Sequence, residues 1–345
     1  MRGRSRCTAS VLCGSNALME TLRRALALAL ARRPMALGVV LLLGGCSLSG
    51  VDIDEASGAS ASSHYEPVAL EEPAQGLQLH AGPFELGPGE ELYYCRITTL
   101  PIAEPMDVIR LHHRASAVHH FNVWGLSSGP DGDREGACED LWAETTMGLA
   151  APLYASQDRE FVGQFPDGVA GRLLPEQQVL LEFHSLNTTD APVVAEAFLN
   201  VEWAEPGTIE VYANGLFGSN TDLEVPPNQQ VTVSKKCLVD VDMHVFALGS
   251  HFHRSGLQFD ILLLDEAGEP DELVYTNTSW ESAEVVMLSD NPIVLRAGGG
   301  FEYRCTFHNR TNSTIGYGPS VDDEMCMMAA VYYPDAGFKV CISPP

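Results

Sequence analysis

Two histidines separated by one residue, His251 and His253, form the first candidate metal-binding pair in this sequence. Apolar runs at residues 243–248 and 257–264 flank the pair, and each run predicts a β-strand. Side chains two positions apart on a strand point to the same face, so both imidazoles can converge on one ion. Such a pair, taken alone, is more often two histidines on a solvated strand face, and other residues must support a metal site.

A thioether could complete that site. Met325 lies in the segment Asp323-Glu-Met-Cys326, although it and the nearby Met327 and Met328 could equally fill a core. Soft sulfur selects Cu(I), and imidazole suits copper among several metals. Zinc would more often be accompanied by carboxylate or thiolate ligands. Two imidazoles with one thioether therefore predict a copper site whose reduced state is favoured, as oxygen binding requires.

A second set of histidines comprises His119, His120 and, further along the chain, His184. Adjacent strand residues face opposite sides, so the first two can share an ion only if the backbone twists or their ring nitrogens differ. The dipeptide is weak evidence by itself, because His112 and His113 form a second one. His184 ends an apolar run, where an ordinary buried histidine is the commoner explanation.

Composition and motifs exclude several classes of function. The 345-residue chain is 45% hydrophobic, which predicts a folded protein, and its net charge is −26. Such an acidic surface repels nucleic acid, so nucleic-acid binding is not expected. The sequence contains no phosphate loop, dinucleotide fingerprint or Gly-x-Ser-x-Gly motif, which leaves hydrolase and nicotinamide chemistry without support.

The N-terminus has the pattern of a targeting segment. Arginines precede an apolar run at residues 36–43 that is too short to span a bilayer. The following Leu-Gly-Gly-Cys46 resembles the lipobox of bacterial lipoproteins. We therefore expect a signal peptide at residues 1–45, lipidation of Cys46 and a flexible Ser/Ala/Gly-rich tether over residues 46–75. An ordinary secretory signal with an incidental cysteine is the alternative.

The start of translation is open between Met1 and Met19, because residues 19–45 already make a complete signal; Cys7 and Cys13 would then not be translated. The expected location is the bacterial cell envelope, with the lipid anchor as the only membrane contact.

An even number of cysteines in an exported chain predicts disulfides, and the spacing leaves their pairing open. The six cysteines of the mature chain are Cys95, Cys138, Cys237, Cys305, Cys326 and Cys341.

From about residue 77 the sequence consists of short apolar or alternating runs separated by Gly, Pro, Asn and Asp. This pattern predicts an all-β protein of two tandem antiparallel β-sandwich, jelly-roll-like domains. A Pro-Gly seam at residues 204–207 places the domains at 76–205 and 206–345. Helix is expected only as a turn or two within residues 139–149.

With these motifs in order, the chain resembles the copper type II, ascorbate-dependent monooxygenases from about Glu85 to Cys341. The resemblance implies two domains facing each other across a cleft, two copper ions, and ascorbate or an equivalent reductant as co-substrate. It implies an electron-transfer copper and an oxygen-binding copper, with no catalytic residue beyond their ligands. The ligands would be His119, His120 and His184 for the first copper, and His251, His253 and Met325 for the second.

The resemblance also implies a disulfide pairing and identifies departures from the family. Leu126 stands where relatives carry a cysteine, so one familiar disulfide is absent. Gly249 replaces the arginine that holds the carboxylate in peptide-hydroxylating members, and Met327 and Ala329 replace two further substrate contacts, so amidation of peptides is not expected. The implied disulfides are Cys95–Cys138, Cys237–Cys341 and Cys305–Cys326.

The sequence thus predicts a copper monooxygenase that hydroxylates a C–H bond of a small-molecule or peptide substrate with dioxygen. Two alternatives remain. One is a copper-binding or storage lipoprotein of the envelope that lacks turnover. The other is a structural β-sandwich lipoprotein whose histidines are incidental.

Overall fold

The computed structural model describes residues 68–127, 129–145, 149–265 and 267–342. The predicted signal peptide, Cys46 and the tether as far as residue 67 lie outside these residues. No helix in the described part of the chain is long and apolar enough to cross a membrane. The backbone carbonyls of Leu70 and Glu71 accept hydrogen bonds from Gln78 and Asn200, so the chain already contacts the first domain there.

The first sandwich contains one six-stranded and one five-stranded sheet. Its elements are β1 (Gly76–Leu86), β2 (Glu91–Thr99), β3 (Met106–Ser116), β4 (His120–Leu126), β5 (Arg134–Ala137), α1 (Cys138–Thr145), β6 (Leu149–Ser156), β7 (Glu160–Gln164), β8 (Val169–Leu173), β9 (Gln178–Leu186), β10 (Val193–Trp203) and β11 (Val211–Tyr212). The strand order is β1-β10-β3-β8-β11 in one sheet, with β7 also pairing with β3, and β5-β2-β9-β4-β6 in the other.

Alternation along β4 and β9 separates the core from the face that carries the histidines. Phe121 and Phe183, together with their neighbours on the same face, pack between the two sheets. The intervening residues His120, Glu182 and His184 therefore point to the opposite face. All three are also buried, so both faces of β9 are covered.

The second sandwich contains a six-stranded and a four-stranded sheet with one short ribbon. Its strands are β12 (Asn214–Ser219), β13 (Glu224–Val225), β14 (Gln230–Leu238), β15 (Met243–His251), β16 (Gly256–Leu264), β17 (Pro270–Asn277), β18 (Val286–Met287), β19 (Ile293–Leu295), β20 (Gly300–His308), β21 (Ile315–Gly316), β22 (Met327–Tyr333) and β23 (Lys339–Ile342). The strand order in the six-stranded sheet is β18-β15-β22-β12-β23, and β19 also pairs with β15. The order in the four-stranded sheet is β14-β20-β16-β17, and the short ribbon consists of β13 and β21.

The all-β prediction is confirmed, with strand pairs that are antiparallel except for β8–β11 and β12–β23. Strand pairing passes from the first sandwich to the second between Tyr212 and Asn214, while the boundary proposed at residues 205/206 stays a prediction. The two sandwiches meet in an apolar contact that includes Phe165 and Phe246, whose ring centroids are 5.0 Å apart.

The three disulfides form as the resemblance implies. Cys95–Cys138 joins β2 to the start of α1. Cys237–Cys341 joins β14 to β23 and so links the two sheets of the second sandwich. Cys305–Cys326 ties β20 to the residue before β22, next to Met325.

His113 is a core histidine and not part of the candidate site. Its ring is fully buried against Phe121, and its Nδ1 lies 2.6 Å from the hydroxyl of Tyr154. Burial, reinforced by neighbouring His112, lowers the pKa of His113 from 6.5 to about 4. The neutral ring therefore stabilises the fold above pH 6.5, and this stability is lost as the pH falls towards 4.

We predict that His113→Gln loses less stability on acidification than the parent protein. Between pH 7 and 4.5 the gap in unfolding free energy between the two should shrink by about 2.5 kcal/mol, because only the parent has this proton uptake. Urea unfolding of both proteins at the two pH values measures the gap. A gap that is constant with pH would contradict the neutral assignment.

Candidate metal centre

The first histidine set converges because of strand register and a local bend. His120 and His184 are directly paired across β4 and β9, and their Nε2 and Nδ1 atoms lie 3.2 Å apart. His119 lies just before β4, two residues after Ala117, whose φ is 53°. His119 itself lies at a bend outside the strand, so strand alternation does not oppose its ring to that of His120, and its backbone N–H donates to the carbonyl of His184 at 2.8 Å. One ring nitrogen from each of the three histidines lies within 4.8 Å of the others.

The second set converges at the turn between β15 and β16. His251 ends β15, His253 follows in the turn, and their Nε2 atoms lie 3.2 Å apart. Phe252 between them is buried in the core of the second sandwich. The alternation therefore places both imidazoles on the opposite side from the core, as the two-residue spacing predicts.

The two sets are in contact. The ring centroids of His119 and His251 are 5.6 Å apart, those of His120 and His251 5.3 Å, and those of His119 and His253 5.9 Å. We call these five side chains, His119, His120, His184, His251 and His253, the histidine cluster. The structure thus brings together residues that the sequence assigned to two separate domains.

The methionine segment is held against the second set. The buried carboxylate of Glu324 accepts hydrogen bonds from the backbone N–H groups of His253, at 3.0 Å, and Ser255, at 2.6 Å. Burial raises the pKa of Glu324 to about 7. Met325 is half-buried between this anchored residue and the disulfide-bonded Cys326. The segment that carries the thioether is therefore fixed on both sides.

Burial keeps four of the five imidazoles in the form that binds metals. It lowers the pKa values of His119, His120 and His251 well below 6.5, with the neighbouring histidines contributing, and it lowers that of His253 to about 4. Near pH 7 these imidazoles are therefore neutral and each has a lone pair to donate. Within the described residues, the buried Nδ1 of His119 has no hydrogen-bond partner.

The spacing of the nitrogens fits a shared ion. Two donors each about 2.0 Å from one ion at a roughly tetrahedral angle stand about 3.3 Å apart. The pairs His120–His184 and His251–His253 are each separated by 3.2 Å. A neutral, imidazole-rich, buried cluster next to a thioether segment suits copper better than the oxygen-preferring metals.

Three residues that sequence reasoning missed support the cluster. Gln157 joins the two sets, with Nε2 3.1 Å from Nε2 of His119 and Oε1 3.2 Å from Nδ1 of His251. The carboxylate of Glu91 lies 2.8 Å from Nε2 of His184. No local pattern marks either residue, because both come from distant segments.

Glu182 is the third, and the sequence does contain its signal. It lies two residues before His184 on the same face of β9. Its buried carboxylate accepts hydrogen bonds from the Tyr93 hydroxyl, at 3.0 Å, and from Nε1 of Trp124, at 2.7 Å. Burial raises the pKa of Glu182. The carboxylate thus fixes the aromatic side chains behind His120.

Comparison with known proteins finds distant structural likenesses and one matching family model. The chain has structural likenesses to the STIV MCP (TM-score 0.32, 10% identity, 75% of this chain and 97% of that chain). A second likeness is to the N-terminal CBM22-1–CBM22-2 tandem domain of Paenibacillus barcinonensis Xyn10C (TM-score 0.18, 10% identity, 77% of this chain and 89% of that chain). The family model "Copper type II ascorbate-dependent monooxygenase, C-terminal domain" matches residues 210–345. The match spans the second sandwich, which carries His251, His253 and Met325, and this part of the chain is similar to the C-terminal domain of that family.

Proposed function

We propose that the protein is a monooxygenase that hydroxylates a substrate C–H bond with dioxygen and an ascorbate-like one-electron donor. The observation that carries the proposal is the histidine cluster, in which neutral buried imidazoles from both sandwiches meet beside a methionine segment. His119, His120 and His184 would hold the electron-transfer copper; His251, His253 and Met325 would hold the oxygen-binding copper. Bound copper would supply one-electron transfer and oxygen activation.

The polypeptide would contribute orientation and burial. Glu91 contacts Nε2 of His184, which leaves Nδ1 directed at the cluster. Glu324 holds the backbone on either side of Arg254 and so fixes the position of His253. Contacts to the side of a ligand that faces away from the metal determine how its ring is oriented. The loss of such a contact commonly changes metal affinity by about 10- to 100-fold.

The substrate is proposed only by class. Gly249 on β15 carries no side chain to pair with a carboxylate, so a peptide bound through its C-terminal carboxylate is disfavoured. A small molecule or a peptide recognised in another way remains as the substrate class. Because Leu-Gly-Gly-Cys46 resembles a lipobox, we also propose that this activity lies in the bacterial cell envelope, on a lipid anchor.

Copper titration of the full chain tests the proposal. We expect two coppers per protein, and we expect Met325→Ala to weaken Cu(I) binding by about tenfold or more while Cu(II) binding changes less, because thioethers prefer the reduced ion. Met106→Ala removes a half-buried thioether from the first sandwich and serves as the control.

Oxygen consumption driven by ascorbate, measured with a panel of C–H substrates, separates an enzyme from a storage protein. Two coppers without substrate-dependent consumption would support the copper-binding lipoprotein instead. A single copper, or Cu(I) affinity that does not respond to Met325→Ala, would overturn the assignment of the second site.

A further inference from the structure

The buried amide of Gln157 contacts one histidine of each set. Its Nε2 lies 3.1 Å from Nε2 of His119, and its Oε1 lies 3.2 Å from Nδ1 of His251. The same Nε2 donates a hydrogen bond of 2.8 Å to the backbone carbonyl of Trp280 in the second sandwich. Because a carbonyl oxygen can only accept, this last bond determines which end of the amide carries the N–H groups.

The orientation of the amide determines where each neutral ring carries its proton. The amide nitrogen of Gln157 donates, so Nε2 of His119 accepts through its lone pair and the ring proton lies on Nδ1. The amide oxygen accepts, so His251 donates from Nδ1 and the lone pair of that ring lies on Nε2. Both rings therefore carry the proton on Nδ1, but only His251 has a lone pair that Gln157 leaves free.

The second set needs no rearrangement before it binds an ion. Nδ1 of His253 lies 3.2 Å from the backbone carbonyl of Asp323, so this ring also carries its proton on Nδ1. The Nε2 lone pairs of His251 and His253 then face each other across 3.2 Å, close to the separation of two donors to a shared ion. Gln157 thus holds His251 in the tautomer that can coordinate.

The ring of His119 is held in the opposite condition. Its Nδ1 is buried and has no hydrogen-bond partner among the residues that the structure describes, although this tautomer places the proton there. A buried N–H group without an acceptor costs free energy, and a protonated ring nitrogen cannot coordinate an ion. The hydrogen bond from Gln157 therefore stabilises the tautomer of His119 that leaves Nδ1 unable to bind.

Coordination by His119 must break its hydrogen bond with Gln157. If Nδ1 binds the ion, that nitrogen gives its proton to water and Nε2 takes one up, so the ring stays neutral and Nε2 becomes a donor. The backbone carbonyl of Trp280, which already interacts with this ring and favours a proton on it, can accept from Nε2 in that tautomer. If Nε2 binds the ion instead, the ion displaces the amide N–H directly.

We propose that Gln157 is a positioning residue that opposes copper binding at the first set and favours it at the second. The inference rests on the proposed function, because it takes the two histidine sets as copper sites. At His119 the amide N–H competes with the ion for the ring. At His251 the amide oxygen keeps the proton on the nitrogen that faces away from the ion. One amide therefore acts on the affinities of both sites in opposite directions.

Nitrogen-15 NMR of the copper-free full chain, with labelled histidines, tests the tautomers without any metal. Protonated and unprotonated ring nitrogens have separate resonances, which replacement of His119 or His251 assigns. We expect both rings to carry the proton on Nδ1. In Gln157→Leu, the proton of His119 should move to Nε2, where the Trp280 carbonyl accepts it. A proton on Nε2 of His119 in the parent protein would overturn the inference.

Cu(I) competition titrations of each set alone test the consequence. The first set is measured in the His253→Ala protein and the second in the His184→Ala protein, each with and without Gln157→Leu. We expect Gln157→Leu to tighten binding at the first set about three- to tenfold, because a competing hydrogen bond is gone. It should weaken binding at the second set about tenfold, because His251 loses the contact on its far side.

Gln78→Leu is the matched control for these titrations. The amide nitrogen of this half-buried residue of the first sandwich also donates to a backbone carbonyl, that of Leu70, and to a side-chain oxygen, that of Asn200. It should leave both affinities unchanged. Effects of Gln157→Leu that have the same sign at the two sets would overturn the inference, since a residue that only supports the fold weakens both. Effects of opposite sign in a protein that binds two coppers without consuming oxygen would uphold the inference and overturn the proposed function instead.

Discussion

Replacing His184 by alanine is expected to remove one copper from the protein and to stop reductant-driven oxygen consumption. The ring is buried at the centre of the first set, with Nδ1 3.2 Å from Nε2 of His120 and Nε2 held by Glu91. Alanine leaves the partner donors in place but takes away one of three imidazoles. We expect copper affinity at this set to fall by at least about 100-fold, more than the loss of an outer contact such as that of Glu91 would cause.

His112→Ala is the matched control for that variant. His112 is a half-buried histidine of the same sandwich that lies 3.5 Å from Glu160 and outside the cluster. Copper content by elemental analysis and the Cu(II) electron paramagnetic resonance spectrum should change in His184→Ala and stay unchanged in His112→Ala. Two fully bound coppers in His184→Ala would refute the ligand assignment.

Gly256→Ala is expected to disable the second set without removing a ligand. A Cβ at residue 256 would lie 1.9 Å from Cδ2 of Phe252, and that ring is buried in the core of the second sandwich. The ring must move, and it lies between His251 and His253, so both imidazoles move with it. Overpacking of this kind costs about 3 kcal/mol of stability. We also expect a loss of Cu(I) affinity of more than about tenfold, because a displaced donor no longer faces its partner.

Gly249→Ala provides the comparison from the same motif. Its added Cβ would meet only Cγ2 of Val285 at 3.5 Å, which is an ordinary contact. Thermal unfolding and Cu(I) competition titrations of the two variants should therefore diverge. If Gly256→Ala matched Gly249→Ala in both measurements, the packing of Phe252 in the core would not determine the positions of His251 and His253.

The sequence by itself determined the all-β architecture, and the family resemblance predicted the members of each ligand set. Alternating apolar runs produce strands because side chains on a strand alternate between faces, and the same period places His251 and His253 on one side. The disulfide partners followed from the family resemblance, and the structure has the same three pairs. These properties depend on local geometry or on motifs that are intact in the chain.

Only the tertiary structure decided which distant residues meet. The convergence of His119 with His120 depends on the bend that leaves His119 outside β4, which the alternation of side chains along a strand does not predict. The contact between the two histidine sets, and the bridge that Gln157 makes between them, depend on how two sandwiches pack. The hydrogen bond between Gln157 and His251 joins residues 94 positions apart, a distance over which the periodicity of a strand predicts nothing. Burial at this position lowers the pKa of His251 well below 6.5.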